Sequence, residues 1–492
     1  MRRAIRFLRR GGIVEIDEAP PAVTLLDWLR LREGSCGTKE GCAEGDCGAC
    51  TVVLRRLREG RLVAEPVNSC ITLLGQIDGT ELVTVEDLAE GAALHPVQAA
   101  MVALHGSQCG FCTPGIVMSL FALYQDAPRP LTRRAITDAL AGNLCRCTGY
   151  RPIVDAAFAA CAEPAADRFA AGREAVATRL AALADGQDLF VGTAERFFAA
   201  PASEEALAAL CLDHPDATLV AGSTDVGLWV TKALTDLRKV IHLGRVAGLD
   251  RVVEEEGALT FGATVPLARA LPHLAAVDPD LGELMRRFGS PQVRVTGTVG
   301  GNIANGSPIG DLAPAFIALG GTLALRRGGE ARRLALEDFF LDYRKQDRQP
   351  GEYLRSVTIP TLAPGDVFRA FKVTKRFDED ISAVMGAFRF RLEAGRVASA
   401  RLAYGGMAGI PKRALRAEAA LAGVPLADET AWEPALAALE ADFAPLSDHR
   451  ASAGYRRTVA RNLLRKALME AAGRATRETR LVGHREMSDA AE

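Results

Sequence analysis

The sequence predicts a multidomain α+β fold, on three observations. Its 492 residues exceed what one hydrophobic core serves, so two to four domains are expected. Eight of the eleven cysteines fall into two quartets, one in a strand-rich stretch and one in a helical stretch. Beyond about residue 192 strands alternate with helices, and from about residue 366 a run of strands gives way to helices.

Residues 1–85 read as a small mixed sheet. I-R-F-L-R-R, Gly11-Gly12 and I-V-E-I form a hairpin, the glycine pair permitting the positive angles of a tight turn. T-L-L-D-W-L-R-L-R-E-G reads as a helix that starts at Thr24 and stops at Gly34. A glycine-rich cysteine loop follows, and then strands over 51–54, 62–67 and 81–85. Together these make a ferredoxin-like arrangement. Residues 86–163 turn helical, with Pro96 and Pro114 near helix starts and Gly106 and Gly142 near helix ends. The Ala- and charge-rich stretch 164–192 reads as a linker. Residues 193–365 form a larger α+β domain. Residues 366–475 carry three strands and two Ala/Leu-rich helical segments, and 476–492 a polar tail.

Composition narrows the function. Hydrophobic residues make up 49 % of the chain, enough for large cores, and the formal charge of −2 leaves no basic footprint for nucleic acid or a membrane surface. The arginines at 2, 3, 6, 9 and 10 alternate with apolar residues and suit a first strand better than a secretory signal. No apolar run approaches a membrane span. Clustered, ligand-spaced thiols favour metal binding in a reducing compartment over disulfides, so a cytoplasmic location is expected.

The first quartet, Cys42, Cys47, Cys50 and Cys70, has the spacing C-x4-C-x2-C with a later fourth cysteine, the plant-type [2Fe–2S] pattern. Gly37, Gly41, Gly45 and Gly48 let the loop bend and turn backbone N–H groups toward sulfur. The second quartet is Cys109 and Cys112 in Q-C-G-F-C-T-P-G, with Cys145 and Cys147 in N-L-C-R-C-T-G-Y. Structural zinc prefers paired C-x2-C knuckles, often with histidine, and neither quartet has that form. Cys36 is off-pattern, and Cys161 and Cys211 read as buried bystanders. Two iron–sulfur sites imply one-electron traffic.

Two further stretches and two single residues stay ambiguous as residues alone. L-V-A-G-S-T-D-V-G, comprising Leu219, Val220, Ala221, Gly222, Ser223, Thr224, Asp225, Val226 and Gly227, is either an N–H nest for a pyrophosphate or a plain strand–turn–helix link. T-V-G-G-N-I-A-N-G-S-P-I-G-D-L (298–312) lacks both the G-x-G-x-x-G and the Walker signatures. Phe288 alone reads as core, and Lys372 as a solvated strand end.

The second quartet, Q-C-G-F-C-T-P-G with G-N-L-C-R-C-T-G-Y, resembles the helical [2Fe–2S] domain of the molybdenum hydroxylases, the xanthine dehydrogenase and aldehyde oxidase group. G-C-A-E-G-D-C-G-A-C-T-V is similar to that family's β-grasp ferredoxin domain. The 219–227 and 298–312 stretches resemble its FAD-binding segments, in a domain of the vanillyl-alcohol-oxidase (PCMH) type. Y-G-G-M-A-G-I-P-K-R-A resembles its closing domain, of the CO dehydrogenase flavoprotein type. The resemblance covers about residues 1–475.

The resemblance implies FAD held by residues 219–226 and by Phe288, Thr298, Gly301, Asn302, Asn305, Ser307, Asp311 and Lys372. It implies two [2Fe–2S] clusters, the helical one nearer a molybdenum site and the other nearer the flavin. Substrate chemistry would lie on a molybdopterin-binding large subunit, paired with this chain as a heterodimer taken twice, as in the small subunit of bacterial xanthine dehydrogenases. Xanthine or hypoxanthine would be oxidised there and NAD+ reduced at the flavin, with no catalytic acid or base expected in this chain. A subunit for aldehydes or N-heterocycles, a stand-alone iron–sulfur flavin reductase and a zinc-bound structural protein are the alternatives. The charged segment 375–381 is expected either near the flavin, influencing nicotinamide access, or as a solvated loop.

Overall fold

The computed structural model describes residues 1–128 and 130–474, so the tail expected over 476–492 lies outside the described residues. Two units divide the chain: Met1–Ala247 with Gly289–Gly297, and Gly248–Phe288 with Thr298 onward. No helix among the described residues is long and apolar enough to cross a membrane.

In the first unit, a mixed sheet runs in the order Gly12–Ile16, Ile5–Arg9, Glu81–Val83, Thr51–Arg58, Arg61–Asn68. Ile5–Arg9 and Glu81–Val83 are parallel and the other neighbours antiparallel. The first hairpin turns at Arg10 and Gly11, both with positive φ, while Gly12 pairs with Arg9 inside the strand. The turn thus sits one residue earlier than Gly11-Gly12, because a two-residue loop needs positive φ at both of its central positions. Thr24 caps the following helix through Asp27 N–H at 3.0 Å, and Gly34 ends it in the left-handed region.

Four helices, Pro96–Ala103, Thr113–Gln125, Arg133–Leu140 and Arg151–Ala160, enclose a core around Phe121, Met118 and Ile153. Thr113–Gln125 is buried on nearly every side, as expected for a central helix. The stretch expected as a linker carries the helices Arg168–Ala171 and Arg173–Leu183; Leu180 and Leu183 of the latter cluster with Leu8 and Leu62 of the first sheet. Its apolar residues are few but spaced on one face, which its Ala-rich composition hid. A four-stranded sheet of Leu189–Gly192, Phe197–Ala200, Lys239–His242 and Thr218–Val220 completes the unit.

The second unit holds an antiparallel sheet in the order Val252–Glu255, Ala258–Gly262, Tyr353–Pro360, Thr322–Arg327, Glu330–Ala335. Another sheet follows, of Asp366–Val373, Val384–Glu393, Arg396–Gly405 and Lys412–Arg413. Leu312–Leu319 is apolar all round and buried at every residue, packed against that second sheet. The helices Leu415–Leu421, Glu433–Asp442 and Ala453–Ala471 cover the sheet's other side, around the buried Trp432.

Candidate redox centres

Hairpin register brings half of the first quartet together. Thr51 pairs with Asn68, which leaves Cys50 just before one strand and Cys70 just after the other. Their sulfurs lie 3.3 Å apart and both residues are buried. Asn68 Nδ2 donates to Gly45 O at 2.9 Å, and Ser69 Oγ to Cys50 O at 2.7 Å, tying the ligand loop to the hairpin. Cys42 Sγ accepts the N–H groups of Glu44, Asp46 and Cys47 at 3.3–3.4 Å.

The thiols of this quartet act in pairs. A hydrogen bond from Cys47 holds the Cys42 thiol down to about 5 against the opposing pull of burial, and the same bond pushes Cys47 up. Cys50 is lowered by its bond with Cys70, and Cys70 is raised by that bond and by burial. Each pair thus lies within hydrogen-bonding reach, and its thiols would lose their protons on binding a metal.

The second quartet pairs in the same way. Cys112, at the start of Thr113–Gln125, meets Cys145, and Cys109 meets Cys147. Burial, then Cys145, pushes the Cys112 thiol up to about 12. Burial also acts to raise Cys145, but hydrogen bonds led by the Thr148 hydroxyl, at 3.2 Å, bring it below the ordinary thiol value. Tyr150, with φ of 67°, accepts the Cys145 N–H on its phenol oxygen at 2.7 Å. Cys109 and Cys147 are exposed, as are their neighbours Phe111 and Leu144.

Among the described residues no group of three or more His, Cys, Asp or Glu is set for one metal ion. Two thiols on each side is the donor set of an iron pair bridged by sulfide, so the residues fit a [2Fe–2S] group at each quartet. All eleven cysteines are free of disulfides; Cys36 is exposed, and Cys161 and Cys211 are buried.

The 219–226 stretch lies in the first unit. Strand Thr218–Val220 leads into a turn in which Ser223 has φ of 57°, and helix Val226–Thr231 follows. The Ser223 hydroxyl lies 2.6 Å from Ile71 O and 2.7 Å from Gln76 Oε1, so it is engaged within the protein. Ala221 O accepts Gln76 Nε2 at 2.9 Å. Thr224 is half-buried and Asp225 exposed. A Cβ on Gly227 would stand 2.7 Å from Ile71 O, so this helix touches the backbone next to Cys70. Thr231 Oγ1 donates to Ala43 O at 2.6 Å, beside Cys42.

In the second unit, Thr298 caps helix Val299–Asn305 by accepting Gly301 N–H at 3.0 Å. Asn302 Oδ1 is buried with no partner among the described residues, the kind of orphan a ligand's donor would satisfy. Gly301 and Asn305 are exposed, and Ser307 Oγ accepts Ile309 N–H at 3.4 Å. Asp311 is buried, pairs with Lys372 Nζ and accepts the Ser382 hydroxyl. Lys372 is thus a buried cation rather than a solvated strand end. Phe288 is half-buried against the core. The 375–381 segment is braced: Arg287 donates to Phe377 O at 2.8 Å and to Thr374 Oγ1 at 3.2 Å, and its guanidinium stands 4.4 Å from the Phe377 ring centre. Asp380 accepts the N–H groups of Lys375 and Arg376.

Asn143, Thr148 and Tyr150 stand inside the second cysteine motif but escape a reading limited to cysteine spacing. Asn68 and Gln76 have no local signal, since their roles depend on residues far away in sequence.

Four family descriptions match the chain. They are the 2Fe-2S iron-sulfur cluster binding domain over 10–75, the [2Fe-2S] binding domain over 84–158, the FAD binding domain in molybdopterin dehydrogenase over 193–362, and the CO dehydrogenase flavoprotein C-terminal domain over 369–471. Xanthine dehydrogenase of Emericella nidulans is 33 % identical over 502 residues, covering 89 % of this chain and 36 % of that protein. Xanthine dehydrogenase/oxidase of Rattus norvegicus is 33 % identical over 82 % of this chain and 34 % of its own length. The chain thus spans about a third of the length of these curated relatives. Among solved structures, the cyanide-inactivated form of the Cu,Mo-CO dehydrogenase aligns with a TM-score of 0.53 at 28 % identity, covering 56 % of this chain and 98 % of that one. Quinoline 2-oxidoreductase from Pseudomonas putida 86 aligns at 0.51 and 26 % identity, covering 56 % of this chain and 95 % of that one.

Proposed function

The chain belongs to the molybdenum-hydroxylase family, with its iron–sulfur and FAD domain architecture, and from that premise we propose that it is the electron-transfer subunit of a xanthine dehydrogenase. Xanthine or hypoxanthine would be oxidised on a separate molybdopterin-binding subunit, and NAD+ would accept the electrons here. The identity to xanthine dehydrogenases along most of the chain supports the purine assignment. The near-complete coverage of one chain of the Cu,Mo-CO dehydrogenase supports a flavoprotein that works beside a separate molybdenum chain, which we propose as two heterodimers. The free, pair-wise thiols suit the reducing cytoplasm.

One observation carries the reading. Within the first unit, an exposed pair, Cys109 and Cys147, leads inward to Cys112 and Cys145, then to the first quartet, and from Cys70–Ile71 directly to the helix after the 219–226 stretch. Cys109, Cys112, Cys145 and Cys147 would hold one [2Fe–2S] group at the face open to a partner, and Cys42, Cys47, Cys50 and Cys70 the other. Such clusters carry one electron each, and FAD gathers two for hydride transfer to NAD+. This chain's residues insulate and tune. Backbone N–H groups on Cys42 Sγ favour the more reduced, more negative state, and the Thr148 hydroxyl does the same at Cys145.

Leu219 through Val226 are proposed for the FAD pyrophosphate, through backbone N–H groups because the Ser223 hydroxyl is engaged. Phe288, Thr298, Gly301, Asn302, Asn305, Ser307 and Lys372 are proposed as the other FAD contacts, with Asp311 fixing Lys372. We propose that the braced 375–381 segment governs nicotinamide access. The likeness to quinoline 2-oxidoreductase favours an N-heterocycle as the second reading.

A metal and cofactor inventory of the native complex tests the core of this reading, which expects iron, labile sulfide, flavin and molybdenum. Turnover of xanthine with NAD+ would support the purine assignment. Turnover of quinoline or an aldehyde alone would reject it.

A further inference from the structure

The segment Gly289–Gly297 falls, by sequence, inside the stretch matched to the FAD-binding family, yet it packs within the first unit. Its short helix Pro291–Thr296 carries Gln292, which is fully buried. Gln292 Nε2 lies 3.2 Å from each of three oxygens: Thr51 Oγ1, Ser119 Oγ and Asn143 Oδ1. Thr51 directly follows Cys50. Ser119 lies on the helix that begins at Cys112, and Asn143 stands two residues before Cys145. The network continues with Ser119 Oγ donating to Asn143 Oδ1 at 2.6 Å, and Asn143 Nδ2 and Thr51 Oγ1 donating to Gly48 O at 3.2 and 2.7 Å, while Gln292 Oε1 is buried with no partner among the described residues.

At the same place the two ligand loops meet backbone to backbone. Leu144 N–H, from the residue before Cys145, donates to the carbonyl of Cys47 at 3.0 Å. A Cβ on Gly48 would stand 2.0 Å from Gly142 O, and one on Gly142 would stand 2.1 Å from Gln292 Oε1. No side chain fits there, so glycine at both positions lets the loops pack backbone against backbone. A buried polar network is costly unless its groups are held in good geometry, and apolar residues would join the loops at less cost. Its presence at this junction therefore points to a demand for position rather than for adhesion.

We propose that Gln292 is the positioning residue that holds the Cys47 and Cys145 ligand loops in register, and so sets the coupling between the two cluster sites. The proposal rests on the iron–sulfur reading above. The exchange that Gln292 tunes would move one electron between a group held by Cys109, Cys112, Cys145 and Cys147 and one held by Cys42, Cys47, Cys50 and Cys70, one being oxidised as the other is reduced. No bond breaks and no proton moves.

The test uses the full chain with its cofactors and the variant Gln292→Leu. Four quantities are measured: iron and labile sulfide, the paramagnetic resonance of each cluster at partial reduction, the spin–spin splitting when dithionite reduces both, and the rate at which a photoinjected electron equilibrates between them. The expected result is unchanged iron content and separate signals, an altered splitting, and exchange slowed severalfold. Ser119→Ala, which removes one of the three acceptors, should shift the same two readouts less. Unchanged splitting and exchange in Gln292→Leu with both clusters in place overturns the proposal. Should Gln292→Leu fail to assemble, Ser119→Ala decides on the same readouts. A wild-type chain without two clusters would remove the iron–sulfur reading and this proposal together, which differs from intact clusters with undisturbed coupling.

Discussion

Cys112 stands at the first turn of a buried helix beside Cys145, whereas Cys47 lies beside Cys42 in a flexed loop. Spacing alone marks eight thiols as candidate ligands, because cysteine is rare and iron–sulfur intervals are distinctive. It could not say which thiol pairs with which, since pairing depends on where a helix start and a hairpin end meet. Cys112→Ser should abolish one cluster signal and stop electron flow from the molybdenum site, while NADH-driven dye reduction at the flavin persists; loss of both would mark collapse of the fold. His242 gives a pH test. Burial lowers its pKa from 6.5 to about 4, with Val220 O as its hydrogen-bond partner at 3.2 Å. Since the unfolded chain takes up the proton first as pH falls, the stability from keeping this ring neutral is full above 6.5. It is lost between 6.5 and about 4, amounting to about 3 kcal/mol at most. Thermal melts of His242→Gln should therefore lose less stability than wild type across that window, and parallel curves would contradict the assignment.

At the scale of elements, the hairpin Thr51–Arg58 with Arg61–Asn68 does the positioning for the first quartet. Period-two side chains specify its register, because a one-residue slip would exchange Val52 and Leu54, which pack in the core of the first sheet, with Val53, which packs in the helical core. One alanine inserted after Arg55 should separate Cys50 from Cys70 and lower bound iron by about half, sparing the second cluster's signal. The same insertion at the Glu59–Gly60 turn should leave iron unchanged. Most strands and helices were legible from apolar periodicity and from caps such as Thr24 and Gly34. The helix Arg173–Leu183 was not, since its apolar face rests on a few residues in an alanine-rich run. The Arg10–Gly11 turn was misplaced by one residue because arginine gives no hint of positive φ.

Across the whole molecule, the order of domains could be read in the sequence, while the placement of Gly289–Gly297 could not. Gln292 finds its partners 149 to 241 residues away, and nothing local marks it. The same limit applies to Lys372, whose partner Asp311 lies 61 residues before it, and whose burial reverses the solvated reading. The two cysteine cages and their one-electron chemistry are what every functional statement depends on. Their most direct test is a reductive titration of the native protein followed by paramagnetic resonance, with iron counted on the same sample. Two distinct signals that appear at separate potentials, with about four irons per chain, are the predicted result. A colourless protein that holds zinc and stays silent after dithionite would contradict it.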